Sequence, residues 1–184
     1  MSRVPFPDVT GRRLRAPSRT SFAGDGMASL GHASMNATNI TWKDLHEAAQ
    51  DFGVSPRAII SAAWGYVLYL YVTHECDSVA FDAVDADTCV AISFGPSLCR
   101  WEDPISMVQL SEKAWLSDRH VQIHGPVLFV SAPDQDTQSA LSLAESTLSR
   151  TNSSLSLVFI AHQAHTSTSS SSSHPVALTL LASP

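Results

Sequence analysis

Two histidine pairs and one run of carboxylates are the residues of this chain whose types and spacing suit chemistry. His120 and His124 stand four apart near the end of an expected helix, so both imidazoles can reach one metal ion. No third ligand accompanies them, and the helix dipole favours histidine at a C-terminus in any case. His162 and His165 flank Gln163-Ala164 beside a Ser-rich run. A metal or catalytic role is open to them, but a strand edge running into a polar loop explains the pair more simply. Glu75, Asp77, Asp82, Asp85 and Asp87 gather around one expected strand, which suits a divalent ion or acid–base work. Their spacing lacks the glycine and the terminal glutamate of a calcium loop, so a solvated acidic rim is the simpler reading.

The remaining nucleophiles and ring systems have bland readings too. No G-x-S-x-G elbow surrounds any serine, and eight glycines form no phosphate-binding loop. Cys76, Cys89 and Cys99 are odd in number without a C-x-x-C pair, which fits reduced, individually packed thiols. Trp42, Trp64, Trp101 and Trp115 each fall on an apolar stripe or at an element end, where core packing outweighs ligand stacking. On the residues alone, no catalytic, cofactor-binding or metal-binding residue is assigned.

The bulk of the chain narrows its partners. At 184 residues and 44% hydrophobic it can bury one good core. Its charged fraction of 15% is low for a free-standing domain, which points to surface that something else covers. The net charge is −6, yet Arg3, Arg12, Arg13, Arg15 and Arg19 lie near the start, so the body is distinctly acidic. An acidic body argues against nucleic acid as a partner. The basic start has the composition of a mitochondrial presequence, but Pro5, Pro7, Gly11 and Pro17 break the amphipathic helix that such a signal needs. Residues 1–38 read instead as a flexible basic leader. The longest apolar run, Ile59 to Val72, is shorter than the roughly 18 residues that span a bilayer.

From Ile40 onward the chain alternates between helical and extended patterns. Thr41 caps a helix from Trp42 to Phe52 that stops at Gly53, and Ser55-Pro56 starts another at once. That second helix is apolar on nearly every side to Tyr71 and reads as buried on most of them. Strands follow at Ser78–Val84 and Val90–Leu98, the latter bent by Gly95-Pro96. Asp103-Pro104 opens a helix expected to reach Gln122, with Ile105, Val108, Leu110, Trp115 and Leu116 as its apolar stripe. Val127–Ser131 is a short strand, Asp134 caps a helix through Leu148, and Leu155–Ala161 and Val176–Ala182 are the final strands. A Ser/Thr tract at 166–173, within the loop 166–174, separates those last two. The expected fold is α/β (α+β), a mixed sheet packed with helices over residues 39–184.

Ala62-Ala63-Trp64-Gly65-Tyr66-Val67-Leu68, followed by Asp77-Ser78-Val79-Ala80-Phe81, resembles the helix, acidic turn and strand in the C-terminal lobe of nonribosomal peptide synthetase (NRPS) condensation domains. Pro96-Ser97-Leu98 with Arg100 is similar to the next segment of that family, and His174-Pro175-Val176 to its late strand. The signature positions are therefore Ala62, Ala63, Trp64, Asp77, Val79, Phe81, Pro96, Arg100 and Pro175. The resemblance runs in order from about Leu45 to the end, and it implies one lobe of a condensation or chloramphenicol-acetyltransferase-like domain. The family's catalytic His-His-x-x-x-Asp-Gly motif is absent, and Val84-Asp85-Ala86 stands where the family has Ser-Gly-Arg. The resemblance thus implies a truncated, non-catalytic lobe acting as a docking platform for adenylation or carrier domains in cytoplasmic secondary metabolism. Phosphopantetheine would sit on the carrier partner. The alternative it leaves open is one lobe of an acyltransferase whose histidine-bearing lobe lies elsewhere.

Overall fold

A computed structural model of the chain describes residues 31–72, 77–85, 88–117, 127–132, 136–149, 157–164 and 174–182. Order begins earlier than the residue pattern suggests. Strand β1, Gly31–Thr41, runs antiparallel to the last strand, β6, Pro175–Ala182, with Gly31 opposite Ala182 and Ala37 opposite Val176. The expected leader over 1–38 therefore gives its last residues to the sheet, while residues 1–30 lie outside those described. Polar Ser34, Asn36 and Asn39 deny this stretch an apolar alternation, and it pairs because β6 offers it a partner.

Helix α1, Trp42–Phe52, begins and ends as its residues dictate. Asp44 Oδ2 accepts from the Thr41 backbone N–H and from the Thr41 hydroxyl, both at 2.8 Å, while Asp44 N donates back to Thr41 Oγ1. This reciprocal capping box satisfies donors that the first helical turn leaves free. At the other end Gly53 takes φ 66 and ψ 36, the left-handed conformation that costs glycine little.

The same box sets a pH dependence. The Thr41 backbone N–H, and after it the Thr41 hydroxyl, hold the Asp44 carboxyl below its ordinary value of 3.8. A carboxyl whose folded pKa is lowered stabilises the fold above its unfolded pKa and loses that contribution as pH falls through the folded value. The expected midpoint of Asp44 in an NMR titration therefore lies below 3.8, and Thr41→Val raises it part of the way back. A native midpoint at or above the unfolded value contradicts this.

Helix α2, Pro56–Val72, starts where Ser55 donates its N–H and hydroxyl to Glu112 Oε2 at 2.9 and 2.5 Å. Strands β2, Val79–Val84, and β3, Cys89–Phe94, pair antiparallel from Val79 opposite Phe94 to Val84 opposite Cys89. Helix α3, Pro104–Trp115, is capped by Asp103, whose carboxylate accepts from Ile105 N and Ser106 N. It stops at Trp115 instead of running to Gln122. Ile105 and Leu116, expected on its buried stripe, are 51% and 70% exposed, and Met107, Ser111 and Trp115 are the buried residues.

Strand β4, Val127–Ala132, is buried at every position. Helix α4, Thr137–Ser149, is capped by Asp136, which accepts from Ser139 N at 2.8 Å; Asp134 lies outside the described residues. Strand β5, Leu157–Gln163, precedes β6. One six-stranded sheet results, in the order β1-β6-β5-β4-β2-β3. Strands β2, β4 and β5 run parallel, and the other neighbours pair antiparallel.

Alternation along the strands divides two cores. Phe81, Ile92, Phe94, Phe129 and Phe159 pack with Trp42, Trp64 and Trp115 of α1, α2 and α3 on one face. Leu128, Val130, Val158 and Ile160 pack with Ala140 and Ala144 of α4 on the other. A strand covered on both faces needs apolar residues throughout, which accounts for Val-Leu-Phe-Val in β4.

Candidate functional site

Helix α2 carries the site. On its inner side a polar network ties it to α3 and to the end of β2. Ser61 Oγ donates to the Arg57 carbonyl at 2.7 Å, so it accepts from Ser111 Oγ at 2.5 Å and from Trp115 Nε1 at 3.2 Å. Arg57 pairs with Asp85 and lies 4.7 Å above the Trp115 ring. Ser61 and Ser111 are fully buried with their hydroxyls committed to one another. This arrangement fixes the α2–α3 packing and offers no reachable nucleophile.

The expected acidic rim is not solvated as a whole. Asp77 is exposed ahead of β2, but Asp82 is buried within it and Asp85 is ion-paired to Arg57 and accepts from Thr88 N at 2.8 Å. Glu75, Cys76 and Asp87 lie outside the described residues. Beside Asp82, burial first and the Asp82 charge second push the Cys89 thiol up to about 11. It is therefore a neutral, weakly nucleophilic thiol at physiological pH. Cys99 is free and buried.

His162 lies at the end of β5, one residue before its last, but it is buried there, 2% exposed. Its Nδ1 donates to the Gln163 carbonyl at 2.9 Å, and its Nε2 shares a hydrogen bond with Thr179 Oγ1 at 2.9 Å. Trp42 Nε1 donates to the His162 carbonyl at 3.2 Å and fastens α1 over the same end. A histidine beside a hydroxyl is the geometry of a base and its nucleophile, but Thr179 is fully buried and meets no substrate. His120, His124 and His165 lie outside the described residues, and the described residues bring no three metal-ligating side chains together.

The signature residues divide between core and surface. Ala62 and Trp64 are buried, with Trp64 stacked on Phe159 at 4.2 Å and 7°. Val79 and Phe81 are buried on β2, and Phe81 meets Phe129 edge-on at 6.4 Å. Ala63, Pro96 and Arg100 are exposed, and Pro175 opens β6 with its carbonyl accepting from Ala164 N. Trp101, half-buried, stacks on Tyr69 at 3.7 Å.

What the residue pattern missed is the outer side of α2. Ala63, Tyr66, Val67, Leu70 and Tyr71 recur at helical spacing and are all exposed, Leu70 by 55% and Tyr71 by 60%. The helix is thus buried on most sides, as its residues suggest, but this one stripe is exposed. Its only charged residue is Arg57, at the far end. Apolar periodicity shows that a face can be buried, not that this chain supplies what buries it. A contiguous apolar stripe of this kind marks an interaction surface. No helix among the described residues is long and apolar enough to cross a membrane.

Comparison with protein-family models and with curated proteins finds no match. Solved structures do match in fold. The condensation domain of the monacolin K polyketide synthase MokA superposes with a TM-score of 0.52 and 10% identity, over 90% of this chain and 44% of that one. The EpoB NRPS cyclization-docking bidomain from Sorangium cellulosum does so with a TM-score of 0.52 and 13% identity, over 83% of this chain and 37% of that one. The chain thus spans less than half the length of these structures. Its mixed sheet with helices on both faces is the α/β fold of the condensation domains, the architecture that its helix-and-strand signature resembles.

Proposed function

We propose that this chain is a non-catalytic, truncated condensation-like lobe that serves as a docking platform for adenylation or carrier domains of an NRPS or a related adenylating enzyme. The exposed apolar stripe Tyr66, Val67, Leu70 and Tyr71 on α2 is the observation that carries this reading. It provides an apolar, uncharged helix face of the kind that forms the centre of a protein interface. The absence of an adjacent histidine pair from the sequence supports the non-catalytic part. The matched cyclization-docking bidomain comes from an NRPS, which supports the choice of partner. Phosphopantetheine belongs to the carrier partner in this reading.

A second reading draws on the chain's spanning less than half of the matched structures. In it, the chain is one lobe of an acyltransferase whose histidine-bearing lobe is supplied elsewhere. Pull-downs separate the two. Capture of an adenylation or carrier domain, without acyl transfer, supports the platform. Acyl transfer that arises only when a histidine-bearing lobe is added supports the second reading and overturns the first.

A further inference from the structure

Strand β3 ends the sheet on one side, with β2 as its neighbour and no described strand beyond it. Alternate backbone N–H and C=O groups of its six residues, Cys-Val-Ala-Ile-Ser-Phe, therefore point away from β2. Proteins commonly protect such edges with lysine, proline, a bulge or an inward charge. This strand has none of these, and its pairing with β2 keeps an unbroken register from Cys89 to Phe94. Valine, isoleucine and phenylalanine give it strong strand propensity.

The edge is also self-complementary. Val90, Ile92 and Phe94 are buried on the face that α2 and α3 cover, while Cys89, Ala91 and Ser93 point to the other face, where Ala91 is exposed. An antiparallel pair centred on Ala91 sets Val90 opposite the second copy's Ile92 and Cys89 opposite its Ser93. Each face then continues across the dyad, small against small and branched against branched. No charged side chain of β3 opposes this pairing.

Helix α3 packs on β3, and Ile105 in its first turn and Leu116 at its C-cap are exposed.

We propose that the chain forms a two-fold dimer by antiparallel pairing of β3 with β3 of a second copy, centred on Ala91. This interface is separate from the α2 stripe and independent of the docking role. Light scattering on the full chain over a concentration series is the test, with three variants. The native chain gives a concentration-dependent dimer. Ala91→Lys places a charge at the dyad on an exposed position, so it weakens the dimer by about tenfold or more while circular dichroism stays native. Ala91→Cys gives a covalent dimer under mild oxidation, and Ala80→Cys, exposed on the neighbouring strand, does not. A native chain that is monomeric throughout overturns the proposal. So does a dimer that Ala91→Lys leaves intact, or one that Leu70→Asp on α2 dissolves.

Discussion

Replacing Trp64 with alanine is expected to destabilise the fold by about 3–5 kcal/mol, a large share of the total stability of an ordinary domain. The indole is 7% exposed and lies flat on Phe159, which itself stacks on Phe129 at 5.9 Å, so its removal opens a void across the middle of the sheet face. Its Nε1 is buried without a hydrogen-bond partner among the described residues. Hence the contribution is one of volume and stacking rather than hydrogen bonding. Trp64→Phe keeps a stacked ring and removes the unsatisfied donor, and is expected to cost less than about 1.5 kcal/mol. Denaturant unfolding of the two variants measures the difference. Equal losses would show that the indole nitrogen has a partner that matters.

Gly65→Ala is the second large effect, and its sign is opposite to helix propensity. Alanine in place of glycine inside a helix is worth up to about 1 kcal/mol. At position 65, however, an added Cβ would overlap the Phe94 ring at Cε2 and Cδ2. That ring is fully buried, with Phe81 and Trp101 each 6.2 Å away, and has little room to swing aside. Overpacking of this kind costs about 1–3 kcal/mol, so the clash outweighs the gain and the variant unfolds at lower denaturant. Adding Phe94→Leu clears the space. The double variant is expected to be more stable than the two single losses predict when summed, which a double-mutant cycle reads directly. Simple additivity would remove Phe94 as the reason for glycine at 65.

Residues with a strong local signature announced their elements. Thr41 with Asp44, Gly53 and Asp103-Pro104 set the helix ends where the pattern placed them, because caps depend on a few neighbouring residues. Strand β1 was hidden because its pairing comes from β6, across most of the chain, and not from its own sequence. The α3 stripe was drawn too long because Leu116, though apolar, lies past the last helical turn. His162 could not be told from a loop-edge histidine, since its burial depends on Thr179 and Trp42 arriving from other elements. The α2 stripe was legible as apolar but not as exposed. Hydrophobic period reports what a face prefers, and only packing shows whether the preference is met.

The most direct measurement of the docking role is the affinity of the full chain for a carrier domain and for an adenylation domain, native and as Leu70→Asp/Tyr71→Asp. Both side chains are more than half exposed, so the substitutions leave the fold intact by circular dichroism. The account predicts measurable binding by the native chain to at least one of the two domains, weakened by about tenfold or more in the variant. Binding that the variant retains in full, or no binding by the native chain to either domain, contradicts it.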